Sequence, residues 1–302
     1  MIIRNLLVVG GGRVGERHIR CFKEADKSLS ITLCEPRAIR NKLYHRYDLD
    51  SVCSDLSALD LCAFDAAVVA TPAHLHIPIA LKLARCGVSV LIEKPLCVSE
   101  QGLSELTRLS RKVVIGVGYT YRSYTELIAM ATQLAAGKIG KPLMARVRLA
   151  YNYATVRRDY MDSYFASHET GGGAVMDIAS HAIAYLTYVF GEVSSVHGCL
   201  GLQGLHRVSV EDTALLVLRF KSGPIATVWA SACQNKRETE FEIIGDKGHL
   251  FYRRGCDNDA PFISQARNFL AAVRGTQPIR TSLTEAVHIN RVCAKARRLE
   301  WL

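Results

Sequence analysis

No two of the chain's ten cysteines are spaced C-x-x-C, and no Cys/His set has the spacing of a metal site. Cys21, Cys34, Cys53, Cys62, Cys86, Cys97, Cys199, Cys233, Cys256 and Cys293 are scattered, mostly among apolar neighbours. That distribution argues against a disulfide framework and a structural metal, and predicts that most of these thiols act as small core hydrophobes. No run of about 18 uncharged apolar residues occurs, so no transmembrane helix is expected. A secretory leader is not expected either. The opening residues through Val9 read as a strand, and Gly10-Gly11-Gly12 arrives before an apolar leader and cleavage site could fit. A reduced, cytoplasmic setting follows as the expectation. Internal repeats, low-complexity tracts and long linkers are also missing.

What remains is a 302-residue chain, 49% apolar and 22% charged, which fits a globular protein of about two domains. The net charge of +10 admits nucleic acid as a partner. The basic residues, however, are spread along the chain apart from Arg253-Arg254 and the group Lys295, Arg297 and Arg298. A solvated basic surface that favours anionic small molecules is the simpler reading, with no nucleic acid and no membrane as partners.

The first third alternates apolar runs with helical stretches. Strands are predicted at 6–9, 30–34, 66–70, 88–92 and 113–117, with helices at 14–23, 77–86 and 99–109. Alternation of this kind predicts a doubly wound parallel sheet, assigned to residues 1–119. Residues 120–302 read differently, as an α+β domain for substrate binding and oligomerisation with a mostly antiparallel open-faced sheet. Its helices are predicted at 124–136, 262–274 and 284–299, and its strands at 143–150, 193–199, 211–220, 225–231, 238–244 and 249–252.

Gly10-x-Gly12-x-x-Gly15 follows the first strand and opens a helix, the context that a dinucleotide fingerprint requires. Arg13 and Val14 complete the loop, whose N–H groups would face a diphosphate. Glu35 ends the second strand, 20 residues after Gly15, where an acid accepts hydrogen bonds from the adenosine ribose. It would repel a 2′-phosphate and so favours NAD. Arg37 could partly reverse that choice and admit NADP, or could cover the adenine face.

Three further segments carry chemistry. Thr71-Pro72-Ala73-His74-Leu75-His76 follows a strand at its carboxyl end, and His74 and His76 are either nicotinamide-side contacts or helix-start residues. Glu93-Lys94-Pro95 occupies the same kind of position, with the lysine able to reach a ligand. After Gly171-Gly172-Gly173 come Asp177 and His181, four apart, which on an α-helix share a face and could act as anchor and general acid/base. Such pairs are more often structural than catalytic.

In order along the chain, these motifs resemble the Gfo/Idh/MocA oxidoreductases, the group of glucose–fructose oxidoreductase and inositol dehydrogenase. Gly118-Tyr119-Thr120-Tyr121-Arg122, Gly137-Lys138-Ile139-Gly140 and Gly245-Asp246-Lys247-Gly248 extend the resemblance over essentially the whole chain. It implies an NAD(P)-dependent dehydrogenase or reductase acting on a hydroxyl or ketone of a sugar, sugar acid or nucleotide sugar. It also implies that Lys94, Asp177 and His181 line the active site, with His181 exchanging the hydroxyl proton and Lys94 polarising the reacting oxygen. In some members the lysine takes the proton role. The family pattern often has glycine and a second aspartate where this chain has Ala179 and Ala184, which weakens inference about substrate hydroxyl contacts. The segment from Tyr151 to Tyr164 is similar to the variable substrate loop, including that of relatives linked to bacterial surface-sugar pathways. From it and its surroundings Tyr121, Arg122, Tyr153, Arg157, Arg158 and Tyr160 are candidate substrate contacts. The two adjacent arginines suggest an anionic substrate. A homodimer or homotetramer is expected by the same resemblance. Some relatives are non-catalytic dinucleotide-binding regulators or NAD-assisted glycosidases, and these stand as the alternatives.

Overall fold

The structure, a computed structural model, describes residues 3–156, 159–255 and 258–302, so Arg157, Arg158 and Cys256 lie outside the described residues. Two compact units are present, Met1–Ser123 with Asn258–Thr284, and Tyr124–Asp257 with Glu285–Leu302. The sequence boundary at 119/120 assigns the whole remainder to one domain, whereas the chain returns to the first unit near its end. The reason is tertiary packing that leaves no local signature. Phe269 of the returning segment meets Phe22 edge-on at 6.1 Å, Arg122 donates to the Arg280 carbonyl, and Arg280 donates to Ser123.

The first unit is built on strands β1 (Asn5–Val9), β2 (Ser30–Cys34), β3 (Ser51–Cys53), β4 (Ala66–Val69), β5 (Ser89–Ile92) and β6 (Ile115–Val117), in the order β3-β2-β1-β4-β5-β6. Every neighbouring pair is parallel. A parallel sheet is covered on both faces, which is why β1 and β4 read as continuous apolar runs. Helix α1 (Arg13–Ala25) buries Ile19 and Phe22 against Phe269 and Leu270 of α8 (Ala260–Val273). Around the sheet lie α2 (Ile39–Tyr47), α3 (His76–Arg85) and α4 (Leu103–Leu109). Helix α2 and strand β3 are not predicted from sequence. The first is largely polar and buries only Leu43, and the second is three residues long.

The second unit carries β7 (Pro142–Asn152), β8 (Val193–Gly201), β9 (Thr213–Phe220), β10 (Ile225–Ser231), β11 (Cys233–Gly245) and β12 (Gly248–Arg253), ordered β12-β11-β7-β10-β9-β8. Only β7 and β10 pair parallel, so the sheet is mostly antiparallel as expected. Helix α5 (Thr125–Ala135), a single turn α6 (Tyr153–Val156), α7 (Ser180–Phe190) and α9 (Leu283–Ala296) complete the helices. Tyr185 of α7 packs edge-on against Phe241 of β11 at 5.1 Å, so α7 covers one sheet face. The stretch His168–Phe190 is long and apolar enough to cross a membrane by length and composition alone. Yet 83% of its most apolar window is buried in the fold, where it serves as core.

Of the described cysteines, Cys21, Cys34, Cys97 and Cys293 are buried as predicted, while Cys62 is exposed and Cys53, Cys86, Cys199 and Cys233 are partly exposed. Burial pushes the Cys21 and Cys293 thiols up to about 12.

Candidate active site

In the first unit the turn from β1 into α1 is set by steric necessity. Gly10 has φ +99°, and a Cβ there would stand 2.5 Å from the Ala70 carbonyl oxygen. A Cβ on Gly15 would stand 1.9 Å from the Gly10 carbonyl oxygen. Gly12 differs: its Cβ would meet only the Arg37 guanidinium, at 3.7 Å. Two glycines therefore let strand, turn and helix close on each other, and the third leaves open space before the N-terminus of α1. That cradle fits a dinucleotide diphosphate. Arg13 is exposed and Val14 half-buried beside it.

Glu35 lies at the end of β2 but is turned inward, its side chain 3% exposed. Its Oε1 accepts from the Arg37 backbone N–H at 2.9 Å and from Arg37 Nε at 2.8 Å. Its Oε2 accepts from the Gly11 N–H at 2.7 Å and from Arg37 Nη2 at 2.9 Å. Burial pushes this carboxyl up, but the Arg37 and Gly11 donors outweigh burial and hold it at about 2. The acid is thus engaged by the protein itself, and Arg37 is the exposed member of the pair.

The Thr71–His76 segment separates into two roles. His74 is exposed and lines a cavity of about 320 Å³ with Ile77, Leu81 and Cys97. His76 is 1% exposed, with Nδ1 2.9 Å from the Pro95 carbonyl and Nε2 2.8 Å from the Thr71 carbonyl. Burial depresses its pKa, and the neutral ring donates to one carbonyl at a time. It is the first residue of α3, the helix-start alternative, and it braces the Thr71 and Pro95 loops from within instead of serving as a nicotinamide contact. Thr71 is half-buried and Pro72 exposed at the start of this segment.

Glu93 is also buried. Its Oε1 stands 2.6 Å from His18 Nε2, and its Oε2 accepts the Lys94 N–H at 3.1 Å. A Cβ on Gly118 would come within 2.8 Å of the same carboxylate. Glu93 therefore anchors the loop that carries Lys94 instead of facing solvent as a cofactor ligand. Lys94 itself is half-buried. Tyr121 is half-buried in the 3₁₀ turn Thr120–Ser123, and Arg122 is 2% exposed with its guanidinium on the Arg280 carbonyl. Arg122 thus holds the returning segment, a structural task that its place in the sequence does not reveal.

In the second unit Asp177 lies in a π turn, Val175–Ala179, and His181 in the first turn of α7. The regular α-helix assumed from sequence is widened here; such π segments are frequent at functional sites. Asp177 is 3% exposed. Tyr164 donates to its Oδ1 at 2.6 Å, and Tyr153 and Tyr151 donate to its Oδ2 at 3.1 and 3.3 Å. Burial, and then the Asp177 charge, raise the Tyr164 phenol well above its ordinary value. Tyr153, expected to meet substrate, points instead at this carboxylate. Tyr160 donates to the His206 carbonyl and accepts its N–H, both at 3.2 Å, so its hydroxyl fixes a loop. Arg157 and Arg158 lie outside the described residues.

The glycine run before the π turn also has an internal explanation. A Cβ on Gly172 would stand 2.1 Å from the Phe165 carbonyl oxygen, and one on Gly173, where φ is +93°, would stand 2.5 Å from Glu211 Oε1. Glu211 is fully buried; it accepts the Val175 N–H at 3.0 Å and meets His168 Nε2 at 2.7 Å. It satisfies an N–H at the start of the segment bearing Asp177 and His181. Sequence reasoning missed Glu211 and His18 as site supports and placed Tyr151 and Tyr164 in the substrate loop without their tie to Asp177, because only the fold brings them to their partners.

Residues 4–119 match the family model described as oxidoreductase family, NAD-binding Rossmann fold, and residues 127–251 match the Gfo/Idh/MocA C-terminal domain. The 1,5-anhydro-D-fructose reductase of Ensifer adhaerens is 31% identical over 197 residues, 63% of this chain. That match spans just 57% of the relative's length. The levoglucosan dehydrogenase of Pseudarthrobacter phenanthrenivorans is 27% identical over 285 residues, covering 82% of this chain and 73% of the relative. The crystal structure of myo-inositol 2-dehydrogenase from Lactobacillus plantarum superposes with a TM-score of 0.87 at 16% identity, covering 98% of this chain and 97% of that one.

Proposed function

Since the chain belongs to the Gfo/Idh/MocA oxidoreductase family, we propose that it is an NAD(P)-dependent dehydrogenase or reductase acting on a CH–OH or ketone carbon of a sugar-like substrate. The observation that carries the reading is the cradle at Gly10, Gly12 and Gly15, whose close contacts and open centre fit a bound dinucleotide. The relatives support the substrate class: one is named a reductase of an anhydro-sugar and another a dehydrogenase of levoglucosan.

Bound NAD supplies the hydride acceptor at its nicotinamide. The rest falls to the protein. His181 takes the hydroxyl proton as the C–H bond breaks, the general acid/base role that imidazole fills more often than any other side chain. The Lys94 ammonium polarises the reacting oxygen. Asp177 is a fixed acceptor for a substrate hydroxyl.

Within the substrate class we favour an anionic sugar, a sugar acid or nucleotide sugar. The adjacent Arg157 and Arg158 and the net charge of +10 support this. We also favour a homo-oligomer. The sheet face opposite α7 exposes Leu215, Val217, Ile225, Trp229 and Phe251, with Trp229 42% and Phe251 52% exposed. Trp229 pairs across the sheet with Leu215 and with Arg148, whose guanidinium lies 4.2 Å over its ring. A second copy would cover this patch.

The reading is tested by thermal-shift screening of neutral and anionic sugars with NADH present. Stabilisation by NADH, and further stabilisation by an anionic sugar, is expected. Stabilisation by neutral sugars alone would overturn the anionic part, and no response to NADH would overturn the whole. Sedimentation of wild type and Trp229→Glu tests the oligomer: wild type should sediment as a dimer or larger and the variant as a monomer.

A further inference from the structure

Three phenol hydroxyls converge on one buried carboxylate, an arrangement that hydride transfer does not by itself require. We infer that Tyr164, with Tyr153 and Tyr151, positions Asp177, holding it as an ionised acceptor of fixed orientation so that it does not carry the proton in catalysis. The inference rests on the proposed function in taking Asp177 as an active-site carboxylate.

The geometry is specific. A carboxylate offers about four acceptor positions. The three tyrosines address both oxygens, Tyr164 at Oδ1 and the other two at Oδ2. The Tyr164 contact, at 2.6 Å, falls in the range of hydroxyl-to-carboxylate bonds, which are stronger than neutral ones. Asp177 is 3% exposed, and a charge so placed is costly unless donors surround it. Tyr164 is a donor at any working pH, because burial and the neighbouring charge keep its phenol protonated.

The donors are themselves fixed. The Tyr153 and Tyr164 hydroxyls lie 3.3 Å apart, and Tyr153 stacks on Phe165 at 4.1 Å. The Tyr153 N–H donates to the Ala232 carbonyl at 2.7 Å. The Tyr164 carbonyl accepts from Thr170 Oγ1 at 2.7 Å, and the Phe165 carbonyl accepts the Gly173 N–H at 3.2 Å. Gly172 is what allows this approach, since its Cβ would strike both the Phe165 and Tyr164 carbonyls, at 2.1 and 2.6 Å. The glycine run thus docks the Tyr164 segment against the π turn bearing Asp177. Holding an active-site group by donors locked in their own packing is how a catalytic constellation stays in register.

Isotope-edited infrared spectroscopy tests the assignment without any substrate. Protein labelled with [4-carbon-13]aspartate, compared with Asp177→Asn labelled alike, isolates the Asp177 carboxylate band. We expect that band to move in Tyr164→Phe and, less, in Tyr153→Phe, while Tyr188→Phe on the exposed side of α7 leaves it unchanged. With the best substrate found, Tyr164→Phe should lower kcat about 10- to 100-fold with KM within about twofold. An unmoved band in both Tyr164→Phe and Tyr153→Phe overturns the inference. So does a moved band with wild-type kcat, which would make the cluster purely structural. Loss of turnover in Asp177→Asn beside normal turnover in Tyr164→Phe sinks this inference alone, whereas normal turnover in Asp177→Asn removes Asp177 from the proposed active site and the inference with it.

Discussion

Arg37 lies on Glu35 as a fork on a carboxylate, with Nε to Oε1 at 2.8 Å and Nη2 to Oε2 at 2.9 Å. With the Arg37 and Gly11 N–H groups, four donors occupy an acid that has about four acceptor positions. Cofactor choice is therefore a property of the pair. Ribose hydroxyls reach Glu35 by displacing the guanidinium, and a 2′-phosphate meets Arg37 only if the pair opens. We predict tighter binding of NADH than NADPH. Arg37→Ala should widen the preference and Glu35→Ala should narrow it, each by about tenfold, the equivalent of one charge-assisted contact. Fluorescence titration measures both, and an Arg37→Ala protein that gains NADPH affinity relative to NADH would contradict the pairing argument.

Gly12 and Gly15 should fail in different ways. The Gly15→Ala methyl would lie 1.9 Å from a backbone oxygen, so α1 must shift. A stability loss of about 1–3 kcal/mol is expected, along with loss of cofactor. Gly12→Ala meets nothing closer than 3.7 Å and has an ordinary φ of −69°, so its Tm should match wild type. Its methyl nonetheless fills the diphosphate space, and NADH binding should disappear. A Gly12→Ala protein that binds NADH normally would show that the diphosphate lies elsewhere.

Glu35 also sets an acid limit. Its carboxyl is held at about 2 against an ordinary 4.5, so the folded state favours the charged form. The stability this confers is complete above about pH 4.5 and is lost as pH falls toward 2. Wild type should exceed Glu35→Gln in Tm at neutral pH, and the gap should shrink across that acid window. A gap that stays constant down to about pH 2 would mean that the charge of Glu35 contributes nothing.

Glu211 should be costly to remove. It is fully buried and serves both His168 and the Val175 N–H. Its removal leaves the Val175 N–H without this acceptor, which costs about 1–3 kcal/mol, and opens a cavity besides. Glu211→Ala should therefore unfold at much lower denaturant than wild type, whereas His168→Ala, whose side chain is 29% exposed, should lose less. Equal losses in the two variants would point to the His168 contact alone and not to the helix start.

The strands and most helices were legible because their apolar runs and turn residues are local signals. The predicted strand 225–231 and the observed β10 coincide, and 30–34 coincides with β2. Helix α2 escaped because Leu43 is its only buried residue, leaving no apolar stripe to detect. The return of α8 to the first unit escaped because its partners, such as Phe22, lie more than two hundred positions earlier in the chain. The fingerprint glycines were readable as spacing. The inward turn of Glu35 was not, since it depends on whether Arg37 folds back over it. Tyr153 and Tyr160 looked alike as aromatic loop residues, yet one meets Asp177 and the other His206, a difference decided by loop path alone.

The central claim is hydride transfer with His181 as the proton-exchanging group. It is tested most directly by following nicotinamide absorbance when sugars are added to the protein with NAD, for wild type and His181→Ala at equal cofactor saturation. The account predicts steady reduction of NAD by the wild type on at least one sugar or sugar acid, and about a 10²–10⁴-fold lower rate in the variant with cofactor affinity retained. Turnover in His181→Ala equal to wild type, or no reduction of NAD by wild type on any sugar that stabilises it, would contradict the account.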